Sequence, residues 1–415
     1  MTRPPRAKER RGVIASAKRA FAQLELDTHL LGMIGALLVI WIGFHLISDN
    51  SFLSARNLWN LSVQTSVVGI IATGMVLVIV MRQIDLSVGS VLGFTGMIMA
   101  VLQAEVFPIG AGWNWLATLL FGLLAGALIG AFQGYWIAYQ GVPSFIVTLA
   151  GLLIFRGGAW LLTQGRTVAP LDSTFQVLGG GLSGSIGGFW SWMVGIVAIA
   201  AIVGLSLRNR AKRSRFGFRV KPWWGELLVL AVATLAVIGF VLVMNAYTRP
   251  RSDIARGIPV PVLLLIIIAV GMTALTRLTK FGRYVYAMGG NPEAAKLAGI
   301  DTKRINLLVF TIIGMLSAVA GAVATARLGA GTNSAGTLDE LYVIAAAVIG
   351  GTSLAGGVGT IAGAVLGALI MQSLQNGMVL VGLTSALQQV VIGLVLILAV
   401  WIDVIYRRRS GKIVE

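Results

Sequence analysis

Apolar runs of about 20 residues, the length a helix needs to cross the hydrocarbon core of a bilayer, recur from Leu30 to Tyr406. Few charges interrupt them. Such a chain cannot cover itself with polar side chains: 57% of its residues are hydrophobic and 11% are charged, against roughly 25% charged in soluble domains. The runs are continuous rather than alternating, which argues for helices and against a β-barrel. The absence of Cys excludes a disulfide scaffold. The fold class that follows is an all-α polytopic membrane protein with about 12 transmembrane helices, counts of about 10 to 12 being compatible with the runs.

The runs place spans at 30–47, 61–80, 86–103, 113–139, 144–162, 189–207, 225–245, 259–276, 305–326, 341–359, 360–381 and 386–406. Two of them are broken. Residues 81–85 are too few for an ordinary loop, so a helix break is expected near 81–90. Residues 341–349 are apolar but too short to span, and 350–359 are nearly all small, so a second break is expected near 350–359. The stretch from Ile84 to Ser90 aligns weakly with Leu354 to Thr360. Interrupted segments at corresponding places in two halves point to a transport pathway. Residues 1–29 form a basic N-terminal segment, too long in its charged part for a signal peptide; Ser16–Asp27 could form a short interfacial helix. Residues 30–406 form the membrane domain, and 407–415 a basic tail.

The formal net charge is +17, from 32 Lys and Arg against 15 acids. Loops on the cytoplasmic side retain Lys and Arg. Of the 32, 24 fall in residues 1–29, 208–221, 277–304 and 407–412. This makes 208–224 and 277–304 cytoplasmic loops and puts both termini in the cytoplasm. The charge therefore marks topology rather than nucleic-acid binding.

The sharpest local signal is Gly289-Gly290-Asn291-Pro292-Glu293-Ala294-Ala295-Lys296-Leu297-Ala298-Gly299. Asn291 is a good N-cap, Pro292 suits the first helical position, and Glu293 suits the positive helix start. Gly299 suits the left-handed residue that closes a helix. A helix of about two turns is not stable alone, so it either packs on its own loops or docks into a partner protein.

A polar path inside the spans is a second expectation. In the first break, Asp85 or Ser87 could cap the following helix, Arg82 and Asp85 could pair, and Gly89 lies just beyond. Gln64, Gln133, Trp136 and Asn376, with Tyr135, Gln372 and Gln375, could line a path for sugars, whose hydroxyls want amide partners and whose ring faces stack on aromatics. The same groups could equally bond between helices. Asp85 is the one acid placed near membrane depth. The glycines at 350–359 lack the Lys-Ser or Lys-Thr of a phosphate-binding loop; they read as close backbone packing, as do Gly122, Gly126 and Gly130 at four-residue spacing. His29 and His45 lack companion ligands, and no nucleophile or carboxylate-pair motif occurs. The chain is therefore no enzyme and hydrolyses no ATP itself, and no metal or cofactor is expected in it.

The segments Leu53–Asn57, Thr73–Met75, Ile84–Ser90, Val142–Leu149, Phe281–Ile300 and Ile349–Gly357 resemble the permeases of bacterial ATP-binding-cassette sugar importers of the ribose, arabinose, galactose and xylose type. The resemblance covers roughly residues 50–405. The extra region around 190–250 is similar to the xylose branch. The resemblance implies a fold like the vitamin-B12-type importers and a place in the bacterial inner membrane. It also implies a permease homodimer, cytoplasmic ATPase subunits that bind the ATP-Mg, and a periplasmic sugar-binding protein that delivers a monosaccharide. It makes Gly289–Gly299, with Asn291, Pro292, Glu293, Ala294, Ala295 and Leu297, the ATPase-coupling segment. An ion-coupled secondary transporter and a non-transporting membrane scaffold are the competing classes.

Overall fold

The computed structural model describes residues 28–181, 183–218, 220, 222–249 and 251–409. The basic N-terminal segment, including the interfacial helix expected at 16–27, lies almost wholly outside the described residues, as do the last residues of the tail. The described chain is helical, with three isolated β-bridges. Ten of its helices are long and apolar enough to cross a membrane, and a further apolar stretch covers Ser385–Trp401.

Chain contacts divide the protein into two units. The smaller one, residues up to Gly35 with Ile186–Ile258, is built around α7 (Gly187–Arg215) and α8 (Trp223–Ala246). These form a hairpin in which Gly195 lets the Val241 side chain approach to 2.9 Å of where a Cβ would stand. Arg210 joins the two helices, pairing with Glu226 and lying 3.7 Å from the Trp223 ring centroid. Helix α7 runs well past the expected span end at 207, because its last turns carry Arg and Lys that favour a helix C-terminus.

The larger unit holds the remaining elements: most of α1 (Thr28–Ile47), then α2 (Ala55–Val80), α3 (Val88–Val101), α4 (Asn114–Ala138), α5 (Ser144–Thr163) and the short α6 (Ser173–Gln176). They are followed by α9 (Val260–Leu278), α10 (Lys280–Gly290), α11 (Pro292–Leu297), α12 (Thr302–Leu328), α13 (Asp339–Ile349), α14 (Ile361–Leu380) and α15 (Ser385–Arg409). Helix α2 is apolar all round and almost wholly buried, with Ile70, Ile71, Leu77 and Val78 fully enclosed; such a helix belongs at the centre of a bundle. Helix α4 packs along α12 backbone to backbone. A Cβ on Gly126 would overlap the Gly314 carbonyl oxygen, and one on Gly130 the Phe310 carbonyl oxygen. Small residues at four-residue spacing allow this approach where lipid supplies no hydrophobic drive between helices.

Both expected breaks are present. Residues 81–87 separate α2 from α3 without helix. Helix α13 has 11 residues, about 17 Å of rise and too short to span alone. It gives way to an irregular return with positive φ at Gly351, Gly356 and Gly357. The polar stretch from 164 to 186 contains α6, which hydropathy did not mark.

Candidate functional site

A polar cleft of about 320 Å³ opens in the larger unit. Helix α2 contributes Gln64, Val67 and Val68, and α14 contributes Gln372, Gln375, Asn376 and Val379. The end of α12 adds Arg327, and Asp339 at the start of α13 completes the lining. Amides, a cation and a carboxylate thus face one space, supplying both donors and acceptors for a hydroxylated solute. Asn376 is held in place from across the unit: Asn57 Nδ2 donates to its Oδ1 at 2.8 Å and to the Phe52 carbonyl at 2.8 Å. Asn57 stands in the first turn of α2, which Ser54 caps by accepting from the Asn57 amide.

Of the polar residues expected on a path, the cleft gathers Gln64, Gln372, Gln375 and Asn376. Asp85, Ser87 and Gln133 meet elsewhere, in a buried knot. Ser87 Oγ donates to Asp85 Oδ1 at 2.7 Å, the Ser87 amide donates to the same oxygen at 2.8 Å, and Gln133 Nε2 donates to Ser87 Oγ at 2.9 Å. The knot ties the first break to α4. Ile84 ties it to α5, its amide donating to Ser144 Oγ and its carbonyl accepting from Thr148 Oγ1, each at 3.3 Å. Gly89 sits against α13, where a Cβ would overlap the Glu340 carboxylate. Trp136 lies on an outward face of α4, 41% exposed, between the Phe132 and Tyr135 rings.

Two expectations are corrected. Arg82 does not pair with Asp85. Its Nε donates to the Gly289 carbonyl at 2.9 Å and its Nη2 to the Gly290 carbonyl at 2.8 Å. The Asp85 carboxylate is turned inward to Ser87, where its negative charge finds hydrogen-bond donors without a cation. Nor is Asp85 alone among acids inside the bundle: Glu340 is buried and Asp339 lines the cleft. Both fall between the expected spans 305–326 and 341–359, because the irregular chain of 329–338 and the acidic first turn of α13 leave no apolar run to detect. Arg156 marks the same stretch. Its Nη1 donates to the carbonyls of Asn333 and Ala335 at 3.2 and 2.7 Å, satisfying backbone that no helix serves. An Arg inside the apolar run 144–162 was the available signal for it.

The segment 289–299 folds as its sequence dictates. Asn291 Oδ1 accepts from the Ala294 amide at 3.0 Å, Pro292 opens α11, and Gly299 takes φ +82°. The Ile300 amide donates back to the Ala295 carbonyl at 3.1 Å, closing the helix by the bond a left-handed cap requires. Ala295 is buried, whereas Glu293 and Ala294 are exposed and Leu297 is 90% exposed.

A helical membrane bundle with two broken helices, a polar cleft and a capped surface helix is the architecture of a transport subunit. The chain matches the family described as branched-chain amino acid transport system / permease component over residues 57–223 and 224–400, and it belongs to that family of membrane permeases. It is a multi-pass transport subunit of the inner membrane rather than an enzyme. It is 43% identical to the xylose transport system permease protein XylH of Escherichia coli strain K12 over 385 residues, 93% of this chain and 94% of that relative. It is 43% identical to XylH of Haemophilus influenzae over 371 residues, 89% of this chain and 95% of that one. Against the ribose import permease protein RbsC of Escherichia coli strain K12 the identity is 34% over 368 residues, 89% of this chain and 91% of that relative. No solved structure matches the chain.

Proposed function

We propose that the chain is the membrane-crossing subunit of an ATP-driven importer whose substrate is a monosaccharide, xylose before other sugars. The observation that carries this is the identity of 43%, over nearly the whole chain, to permeases named for xylose transport. Ribose permeases stand further off at 34%. The working unit is a permease homodimer with two kinds of partner, cytoplasmic ATPase subunits and a periplasmic sugar-binding protein. The fold is of the vitamin-B12 importer type. Twelve crossings follow when α15 is counted and when α13 with its irregular return completes one crossing.

In this reading α11 is the coupling helix. Buried Ala295 anchors it to its own chain, while Glu293, Ala294 and Leu297 face outward and an exposed apolar side chain on a rigid cap offers a partner its anchor. Residues 208–224 and 277–304 are cytoplasmic loops, the second of them carrying α11, and the 30–406 region is the permease domain between two basic termini. The cleft bounded by Gln64 and Asn376 receives the sugar through its amides and Asp339. Arg82, Asp85, Ser87, Gly89 and Gln133 frame a gate apart from the cleft wall, and Trp136 belongs to the bundle's outer face. Selectivity rests mainly on the binding protein, and the energy comes from the ATPases.

Uptake of labelled xylose into proteoliposomes holding the permease, its ATPases and its binding protein tests this. Uptake that needs ATP inside the ATPase compartment and survives collapse of the proton gradient supports the reading. Uptake that persists without ATP and stops with the proton gradient would replace it with ion-coupled transport.

A further inference from the structure

Three irregular stretches far apart in sequence meet at one point. Helix α2 ends at Val80, and Arg82 follows with φ +62°, a left-handed conformation uncommon outside glycine. This turn carries the Arg82 guanidinium to the C-terminus of α10, where it holds the Gly289 and Gly290 carbonyls. The last carbonyls of a helix lack partners within it, and a cation suits the negative end of the helix. The return after α13 reaches the same place. The Gly357 amide donates to the Val80 carbonyl at 2.9 Å, and Tyr286 Oη donates to the Gly359 carbonyl at 2.7 Å. A Cβ on Gly289 would overlap the Val80 carbonyl oxygen and stand 2.6 Å from the Gly357 nitrogen.

The connections out of this point lead in two directions. Asn291, extended at φ −148°, is the one residue between α10 and α11. In the other direction run α2 and α14, the two helices that carry Gln64 and Asn376 into the cleft. Gln64 and Val80 stand about 24 Å apart along a continuous helix.

We propose that Arg82 is a positioning residue for transport: it clamps the end of α10 to the end of α2, while the Tyr286–Gly359 and Gly357–Val80 bonds tie in the start of α14, so that a displacement of α11 moves α2 and α14 together. The proposal rests on α11 being the helix that docks the ATPase. It predicts that coupling, rather than assembly or substrate recognition, resides in these contacts.

The test uses the assembled importer in proteoliposomes with its binding protein, reading xylose uptake, basal ATP hydrolysis and its stimulation by the loaded binding protein. With Arg82→Gln, uptake and stimulation fall by about tenfold, the scale of a coupling between linked sites, while basal hydrolysis and the KM for the loaded binding protein change little. Arg82→Lys, which keeps the charge and one donor, recovers part of the loss. Tyr286→Phe removes one hydroxyl and no bulk; it lowers the sugar carried per ATP, and it decides the matter if Arg82→Gln fails to assemble. Unchanged sugar per ATP in both Arg82→Lys and Tyr286→Phe overturns the proposal. So does a parallel loss of uptake and basal hydrolysis that Arg82→Lys does not relieve. Failure of the underlying reading looks different: the unsubstituted complex would then show no ATP-dependent uptake at all.

Discussion

Asn57 and Asn376, 319 positions apart, share a hydrogen bond of 2.8 Å from Nδ2 to Oδ1. One opens α2 and the other lies near the end of α14, so the bond fixes the two walls of the polar cleft against each other. It also gives the Leu53–Asn57 stretch a structural role: Ser54 caps the helix and Asn57 reaches across the bundle. Asn57→Ala deletes this bond and leaves a buried amide oxygen without its donor, at a cost of about 1–3 kcal/mol. A fall of several degrees in detergent-measured Tm, together with a lower initial rate of sugar uptake, is the expected result.

The α4–α12 contact makes a sharper contrast. Gly130→Ala places a methyl group into the Phe310 carbonyl, forcing two helices apart at a loss of about 1–3 kcal/mol. Gly157→Ala, on α5 with nothing within 4 Å of its Cβ, removes backbone freedom from the unfolded chain and gains up to about 1 kcal/mol. Thermal unfolding of the two variants side by side should move in opposite directions.

Asp172 supplies a pH-dependent contribution outside the spans. Burial pushes its carboxyl up, but hydrogen bonds from the Gly110 amide, Thr174 and the Asn114 amide outweigh this and hold it well below the ordinary carboxylate range. A group depressed on folding contributes its stability above the unfolded value of about 3.9 and loses it as pH falls through the folded value. Tm of the unsubstituted protein should therefore decline as pH drops below about 4. Asp172→Asn should lower Tm at neutral pH and flatten that decline.

Helix α11 offers separate tests of its fold and its surface. Asn291→Ala removes the N-cap bond and costs about 1 kcal/mol locally; hydrogen exchange at 293–298 should quicken while the bundle is unaffected. Leu297→Asp alters a side chain that is 90% exposed, so permease stability should hold while co-purification of the ATPase subunits drops.

Several element boundaries were legible in the sequence, though α2 begins at Ala55 rather than 61 and α7 runs on to Arg215. The spans expected at 113–139, 144–162 and 225–245 differ by a residue or two from α4, α5 and α8. Both breaks were legible as well, because Arg82–Asp85 and the glycines from 350 interrupt apolar runs. The amphipathic α10 was missed as a helix: at 11 residues beside a loop it is too short and too polar for a hydropathy signal. The polar residues were the hardest to sort. Gln64 and Gln133 look alike in their runs, yet one lines the cleft and the other closes the Asp85–Ser87 knot.

What the sequence determined by itself is whatever depends on neighbours in the chain. Hydropathy over about 20 residues sets the spans, and Asn291, Pro292 and Gly299 set α11 through caps that act within one or two turns. The tertiary structure alone decided which groups meet: Asn57 with Asn376, Arg82 with Gly289 and Gly290, Asp339 with the amides of the cleft. In a bundle of apolar helices each buried polar group must find a partner, and the partner it finds depends on depth, rotation and helix neighbours, which no local run of residues encodes.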